Sequence, residues 1–208
     1  MDKLQFDWKQ AAAHVGRRDK RIGVVIKRQG HLRLEPRPLK SPFHALMRAI
    51  IYQQLSGKAA ATIHGRLMDV FGNKRDVTPT NLLKLKDAQI RGAGVSGNKM
   101  KALRDLARRT DAGEVPTFAK LRRMDDAEII ERLTAVHGIG RWTVEMLLIF
   151  QLGRPDVLPI HDLGVRKGFA IAHKLAEMPT PDELTDLAEK WRPYRTVGSW
   201  FCWRATEI

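Results

Sequence analysis

Residues 133–143 read Leu-Thr-Ala-Val-His-Gly-Ile-Gly-Arg-Trp-Thr, and residues 159–162 read Pro-Ile-His-Asp. In the first stretch, Gly138 and Gly140 lie between two apolar segments with helical spacing, which predicts two helices joined by a tight turn. The second stretch places one carboxylate, that of Asp162, just after a proline break. Alone, the first is also typical of an ordinary αα-hairpin and the second of a helix N-cap.

The charge balance of the chain favours a polyanionic partner. There are 37 Lys and Arg residues against 23 Asp and Glu, which gives a formal net charge of +14 and a pI near 10.3. An excess of this size points first to nucleic acid, although a merely basic soluble protein has the same composition. The hydrophobic content of 43% and the five tryptophans indicate a folded protein.

Cysteine usage and hydropathy exclude several classes of protein. The single cysteine, Cys202, rules out a disulfide framework, a four-cysteine iron–sulfur cluster and a multi-cysteine zinc site. No apolar run approaches the ~20 residues that span a bilayer, and the acidic N-terminus lacks the apolar core of a secretory signal. We therefore expect no membrane partner and a cytoplasmic protein, nucleoid-associated in a bacterium or nuclear in a eukaryote.

Helix signals dominate the chain. Three pairs, Ser41-Pro42, Thr78-Pro79 and Thr180-Pro181, combine an N-cap hydroxyl with proline at the first helical position. Asp125 to Glu128 resembles a capping box. The β-prone segment from Gly23 to Ile26 is short and equally compatible with a helix turn.

These signals predict an all-α fold of two helical lobes. Residues 43–154 form one lobe, which contains the helix–hairpin–helix at about 128–152. Residues 1–42 and 155–208 form the second lobe, which carries Asp162. The two lobes are expected to flank a groove, the usual place for a site.

The hairpin is a candidate grip for a phosphate backbone. Past the turn, the next helix would begin with the amides of residues 140–143, which are those of Gly140, Arg141, Trp142 and Thr143. Amides at a helix N-terminus carry partial positive charge and bind phosphate without reading bases. Ile139 would fill the apolar gap between the two helices.

Five segments, in this order along the chain, resemble the helix–hairpin–helix/GPD superfamily of DNA glycosylases. Within it they are most similar to the AlkA-type branch of 3-methyladenine DNA glycosylase II enzymes. The resemblance spans about residues 42–204 and is carried by Tyr52–Ser56, Gly94–Lys99, Gly138–Thr143, Asp156–Leu163 and Trp191–Arg195.

The resemblance implies a monofunctional glycosylase that flips an alkylated base out of damaged double-stranded DNA and hydrolyses its N-glycosidic bond in base excision repair. Asp162 falls on the family's catalytic aspartate, whose carboxylate stabilises positive charge on the sugar and orients the attacking water. Bifunctional relatives carry a lysine nucleophile where this chain has Trp142, so no lyase activity is expected.

The resemblance also implies a base pocket lined by Trp142, Trp203 and Tyr52, because electron-rich rings suit a cationic base. Tryptophan more commonly fills the core of a helical protein. Among the DNA-binding residues implied are Gly138, Gly140, Arg141 and Thr143 of the hairpin.

The resemblance implies a second DNA-binding element in the turn Gln53–Gln54–Leu55, in which Gln54 is the best candidate to fill the gap left by the flipped base. Polar residues at a helix end give the same pattern. Between residues 84 and 123 there are 11 Lys and Arg against 4 Asp and Glu. Most of these cations form a solvated face, and Lys99 is the foremost candidate to contact phosphate.

The resemblance implies that the backbone carbonyls of Thr134, Val136 and Ile139 hold a structural monovalent cation, Na⁺ or K⁺. No other cofactor is implied, and a monomer is expected. Two alternatives stay open: a glycosylase for oxidised or deaminated bases, and a non-catalytic helix–hairpin–helix DNA-binding module.

Overall fold

The computed structural model describes residues 4–30, 32–36, 39–73 and 75–207. Across these residues the regular structure is entirely helical, which confirms the prediction of an all-α fold. None of the described helices has both the length and the apolar character needed to cross a bilayer. The helices are α1 (Trp8–Arg18), α2 (Lys20–Gln29), α3 (Pro42–Tyr52), α4 (Gly57–Val70), α5 (Pro79–Lys84), α6 (Asp87–Gly92), α7 (Gly97–Asp111), α8 (Phe118–Leu121), α9 (Asp126–Thr134), α10 (Arg141–Phe150), α11 (Leu163–His173), α12 (Pro181–Leu187), the 3₁₀ helix η1 (Glu189–Trp191) and α13 (Arg195–Ala205).

The chain divides into two compact units. The terminal unit comprises the described residues of 1–37 and 148–208, and the central unit those of 38–147. The sequence predicts the second boundary after residue 154, whereas in the structure it lies after residue 147. Since α10 continues without a break through residues 147 and 148, its apolar pattern contains no signal for a boundary there.

The helix starts follow the hydroxyl–proline pairs. The side chains of Ser41, Thr78 and Thr180 each accept a hydrogen bond from the amide three residues on, at 3.3, 3.2 and 3.2 Å. Glu183 returns a bond to the Thr180 amide, which completes a capping box. α9 begins at Asp126, but the side chain of its N-cap, Asp125, makes no capping hydrogen bond, so the predicted capping box is not formed.

The segment from Gly23 to Ile26 lies within α2 and not in a strand. Ile22 and Val25 are the buried residues of this helix, and their separation of three residues places both on one helical face. The side chain of Asp19 caps α2 by accepting from the Ile22 amide at 3.2 Å. Burial and capping thus outweigh the β propensity of the two valines.

In the central unit, α3 packs against α7 and supplies much of the core. Phe43, Leu46 and Ile50 of α3 are almost fully buried, as are Leu103 and Leu106 of α7. These residues recur at helical spacing, which is the pattern that indicated the helices in the sequence. The packing fixes the C-terminal end of α3, after which the turn of residues 53–55 begins.

In the terminal unit, α11 and α13 pack at backbone distance. A Cβ built on Gly168 of α11 would lie 1.8 Å from the carbonyl oxygen of Cys202 in α13. A Cβ on Gly198 would lie 2.1 Å from Cε3 of Trp191, which is fully buried. Glycine at both positions is therefore required by space alone.

A buried carboxylate joins three distant segments of the terminal unit. Asp19 lies between α1 and α2 and accepts from Trp191 Nε1 at 2.9 Å, while His173 Nε2 lies at 3.0 Å and Lys190 Nζ at 3.1 Å. Burial opposes ionisation, but the hydrogen bonds from His173 and Trp191 outweigh it and hold the pKa of Asp19 well below its ordinary value.

We predict that Gly168→Ala lowers the free energy of unfolding by about 1–3 kcal/mol or more, because the added methyl group collides with backbone that cannot move aside cheaply. Urea unfolding of both proteins measures the change. Gly65→Ala is the matched control, since a Cβ there meets nothing within 4 Å. That variant should gain about 0.5–1 kcal/mol from helix propensity, and an equal loss in both would contradict the packing argument.

We predict that Asp19→Asn lowers the free energy of unfolding by about 3–5 kcal/mol at pH 7, because a neutral amide replaces the buried carboxylate that accepts from Trp191 and pairs with Lys190. A carboxyl whose pKa falls on folding contributes stability above its unfolded pKa and loses it as the pH drops towards the folded value. The difference between wild type and variant should therefore be constant from pH 7 to pH 5 and shrink below about pH 4. Urea titrations across this range test it, and a constant difference down to pH 3 would refute it.

Candidate active site and nucleic-acid interface

The glycine turn lies between α9 and α10 in the central unit. Gly138 has a φ of +78°, and a Cβ there would lie 3.0 Å from the Cβ of Ala102. Gly140 has no positive φ, and a Cβ there would meet nothing within 4 Å. Gly138 is therefore required by conformation and packing, whereas Gly140 keeps the backbone surface open. Ile139 between them is buried.

The first turn of α10 combines an occupied amide with an exposed cation. The Thr143 amide donates to the Gly140 carbonyl at 3.0 Å, and the Thr143 side chain is buried. This internal bond leaves Thr143 a weaker candidate for phosphate contact than its position in the sequence suggested. The exposed Arg141 side chain donates through Nε to buried Glu145 at 2.9 Å, which fixes the direction of its guanidinium.

Two side chains from elsewhere in the central unit bind the backbone of this hairpin. Asp105 accepts from the His137 amide at 2.8 Å and from Arg109 Nε at 3.0 Å, while Gln53 Nε2 donates to the Gly138 carbonyl at 2.9 Å. Burial raises the pKa of Asp105, but the hydrogen bonds from His137 and Arg109 outweigh it, so the pKa lies below its ordinary value. These contacts span 32 and 85 residues and leave no spacing signal in the sequence.

A strained turn follows α3. Gln54 has a φ of +54°, a left-handed conformation that residues other than glycine rarely adopt, and its side chain is exposed. Leu55 beside it is 39% exposed. Ser56 then caps α4 by accepting from the Ala59 amide at 3.3 Å. The turn thus presents one polar and one apolar side chain to solvent.

Lys99 was predicted to contact phosphate, but its ammonium group binds the end of α3. Nζ donates to the carbonyls of Ile51 and Gln53 at 2.7 and 2.8 Å. Burial lowers the pKa of Lys99. Because α3 has no basic residue in its own last turn, Lys99 supplies the positive charge that the C-terminal end of the helix dipole favours.

The two aromatic candidates of the central unit differ in their surroundings. The Arg48 guanidinium lies 4.0 Å from the ring centroid of Tyr52, so one face of that ring already holds a cation. Trp142, in the first turn of α10, is 45% exposed. Trp142 is therefore not a core residue, the usual fate of tryptophan in a helical protein.

In the terminal unit, Asp162 is the N-cap of α11. Its Oδ1 accepts from the Val165 amide at 2.8 Å and from the indole Nε1 of Trp203 at 2.8 Å, and the residue is half-buried. A Cβ on Gly164 would lie 3.1 Å from Asp162 Oδ1 and 2.9 Å from Trp203 Cδ1. Gly164 therefore leaves the room in which this carboxylate and this indole meet.

Trp203 is held from its other side as well. Its ring stacks on Phe150 with centroids 5.7 Å apart and an interplanar angle of 24°. The resemblance predicts Trp203 in a base pocket, but nothing in the sequence indicates its contacts with Phe150 and Gly164. Gly164 and Gly168 are four residues apart and therefore lie on the same face of α11. This spacing of two glycines is the signal in the sequence that indicates a close contact with another helix.

The segment that leads to Asp162 is fastened to the start of α13. Arg195 binds Asp156 through two parallel bonds, Nε to Oδ1 at 2.8 Å and Nη2 to Oδ2 at 3.0 Å. Thr196 Oγ1 accepts from the Val157 amide at 2.9 Å and donates to the Arg154 carbonyl at 2.7 Å. The irregular segment before α11 is thereby held in place without a strand.

The carbonyls predicted to hold a cation lie at the end of α9 and in the turn. Thr134 is the last residue of α9, where helix carbonyls lack partners within the helix. The Val136 carbonyl accepts from the Ile139 amide at 3.1 Å. Among the described residues, no group of three or more His, Cys, Asp or Glu is arranged to hold a metal ion.

A cavity of about 1080 Å³ is lined mainly by residues of α1 and α2 and by none of the predicted site residues. Its apolar part is formed by Trp8, Ala12 and Val24, with Lys9 and Lys27 among the basic residues around it. Its size therefore does not identify the place of the chemistry.

The chain is similar to known proteins both in sequence and in structure. A family model described as HhH-GPD superfamily base excision DNA repair protein matches residues 47–193. DNA-3-methyladenine glycosylase 1 of Schizosaccharomyces pombe is 38% identical over 169 residues, which cover 81% of this chain and 74% of that protein.

Two solved structures are similar over nearly the whole chain. The 3-methyladenine DNA glycosylase of S. pombe, in complex with abasic DNA, gives a TM-score of 0.86 at 35% identity and covers 96% of this chain and 97% of that one. The DNA-3-methyladenine glycosidase of Bacillus halodurans gives 0.84 at 33% identity, with coverage of 94% and 88%. The chain therefore belongs to the HhH-GPD superfamily of base excision DNA repair proteins.

Proposed function

We propose that this protein is a monofunctional DNA glycosylase that hydrolyses the N-glycosidic bond of alkylated bases in base excision repair. The observation that carries the proposal is the Asp162 carboxylate, held at the start of α11 by the Trp203 indole and the Val165 amide. Two fixed donors on Oδ1 keep the group oriented before substrate arrives, as catalysis by a preorganised charge requires.

The chemistry assigned to Asp162 is electrostatic and basic. Breaking the bond between base and sugar builds positive charge at C1′, which a facing carboxylate stabilises. The same carboxylate orients the attacking water and accepts its proton. An alkylated purine already carries positive charge, so it leaves without a strong general acid.

Water, and not an amine of the protein, is the proposed nucleophile. Bifunctional glycosylases with a similar motif carry a lysine nucleophile just after the hairpin. In this chain the corresponding residue, directly after Gly140-Arg141, is Trp142. No lysine occurs between Gly138 and Arg166. Without a Schiff base the abasic strand would stay intact, so we propose that lyase activity is absent.

We propose that the hairpin grips the phosphate backbone. Support comes from the open backbone at Gly140, the exposed guanidinium of Arg141 and the helix start at α10, whose first amides attract anions. Gln54 and Leu55 are the proposed wedge that fills the gap after a base is extruded. Their exposure and the left-handed conformation of Gln54 support this role, since such strain clusters at functional sites.

The aromatic residues receive separate roles. Exposed Trp142 is proposed to face the cationic base, and Tyr52, with Arg48 on one face, to contribute its remaining surface. Trp203 is proposed to act chiefly on Asp162, through its N–H group.

A monovalent cation at the hairpin is also proposed. Thr134, Val136 and Ile139 would hold it through their carbonyls, and the helix-end position of Thr134 fits an oxygen ligand. When bound, such an ion would add positive charge near a phosphate.

We predict that wild-type protein releases an alkylated purine from a duplex and yields strand breaks only after alkali treatment. Asp162→Asn should lower the single-turnover release rate by about 10²–10⁴-fold. The substitution removes the negative charge and the proton acceptor but keeps the shape of the side chain. Electrophoresis with and without alkali measures both effects. Full release by the variant, or strand breaks without alkali, would contradict the assignment.

We predict that Trp203→Phe lowers the release rate about tenfold, because it removes one hydrogen bond to a charged group while keeping a ring that stacks on Phe150. Trp200→Phe, three residues earlier in α13, is the matched control and should change the rate little. Rates are compared at saturating protein, and equal losses in both variants would show that the effect is one of packing.

A further inference from the structure

One face of α7 reaches both elements that are proposed to contact DNA. Lys99, Ala102 and Asp105 follow one another at intervals of three residues, which places them within an arc of about 120° around the helix axis. Lys99 binds the carbonyls at the end of α3, Ala102 packs against Gly138, and Asp105 binds the His137 amide. The turn after α3 and the glycine hairpin therefore share one support.

Gln53 completes the connection between these two elements. Its carbonyl accepts from Lys99 Nζ at 2.8 Å, and its side-chain amide donates to the Gly138 carbonyl at 2.9 Å. Lys99, Gln53 and Gly138 thus form an unbroken chain of hydrogen bonds from α7 through the turn to the hairpin. Every atom in this chain belongs to the central unit.

From this network we propose that Lys99 and Gln53 are positioning residues that hold the wedge turn, residues 53–55, and the hairpin, residues 135–140, as one rigid element. The proposal rests on the function proposed above. It gives Lys99 and Gln53 a role in support and no direct contact with DNA. The grip on the strand then sets the direction from which Gln54 approaches the duplex.

The strained conformation at Gln54 calls for such a support. A non-glycine residue at positive φ costs on the order of 1–3 kcal/mol and persists only where its surroundings over-determine it. Lys99 fixes the two carbonyls on the N-terminal side of this residue, and the Ser56 cap fixes α4 on its other side. Removal of Lys99 would free the turn to relax.

Hydrogen exchange of the free protein tests the coupling without DNA. In Lys99→Met and in Gln53→Ala we expect exchange to accelerate about tenfold both in the peptide covering residues 51–56 and in the one covering residues 135–141, as for the loss of one hydrogen bond. Lys101→Met is the matched control, because Lys101 is exposed on the same helix and the substitution removes the same charge. It should leave both peptides unchanged.

DNA binding separates a positioning lysine from one that contacts phosphate. If Lys99 neutralised a phosphate, Lys99→Met would reduce the slope of log Kd against log salt by about 0.9. We expect the slope for a duplex with an abasic site to stay that of wild type. The fluorescence of 2-aminopurine placed beside the lesion measures base extrusion. We expect extrusion to fall several-fold in Lys99→Met and to recover largely in Lys99→Arg.

Two results would overturn the proposal: faster exchange confined to residues 51–56 in both variants, or a salt slope reduced by about 0.9 in Lys99→Met. Failure of wild type to bind the lesion duplex or to release the alkylated base from it would refute the proposed function instead. The exchange experiment would still decide whether the turn and the hairpin are coupled.

Discussion

The close approach of α13 to α11 is the constraint on which the terminal unit depends. Gly164 and Gly168 lie four residues apart on one face of α11, and each leaves space for an atom of α13 that a methyl group would displace. At Gly168 this atom is a backbone oxygen, and at Gly164 it belongs to the indole of Trp203. The carboxylate of Asp162 therefore acquires its indole partner as a result of helix packing. The packing of α11 against α13 thus determines both the fold of the terminal unit and the surroundings of the Asp162 carboxylate.

Net charge is a poor guide to which cations face a ligand in this protein. The ammonium group of Lys99 donates to a carbonyl at the end of α3, and Arg104 donates to three carbonyls near the end of α5. Arg195 is paired with Asp156, and Arg166 donates to the Pro179 carbonyl. Backbone carbonyls at helix ends need donors, and long basic side chains supply them from neighbouring helices. A chain made of many short helices has many such ends.

The all-α fold and the helix starts were predictable because their causes are local. Hydroxyl–proline pairs and apolar residues at helical spacing act over three to seven residues, a range that the sequence displays directly. The stacking of Trp203 on Phe150 and the bond from Gln53 to Gly138 join residues that are 53 and 85 positions apart. Their geometry follows from tertiary packing, which has no spacing rule. For the same reason the sequence draws attention to Lys99 but does not indicate the carbonyls of Ile51 and Gln53 to which its ammonium group donates.

The spacing of the α7 contacts limits how this region can change over evolution. Lys99, Ala102 and Asp105 each meet their partner because successive residues turn by about 100° around the helix axis. An insertion or deletion of one residue between Lys99 and Asp105 would rotate one contact away by that angle, whatever side chains were kept. Substitutions on the outer face of α7 leave the contacts in place. Descendants of this sequence should therefore vary in composition on the outer face of α7 but keep its length between these two residues.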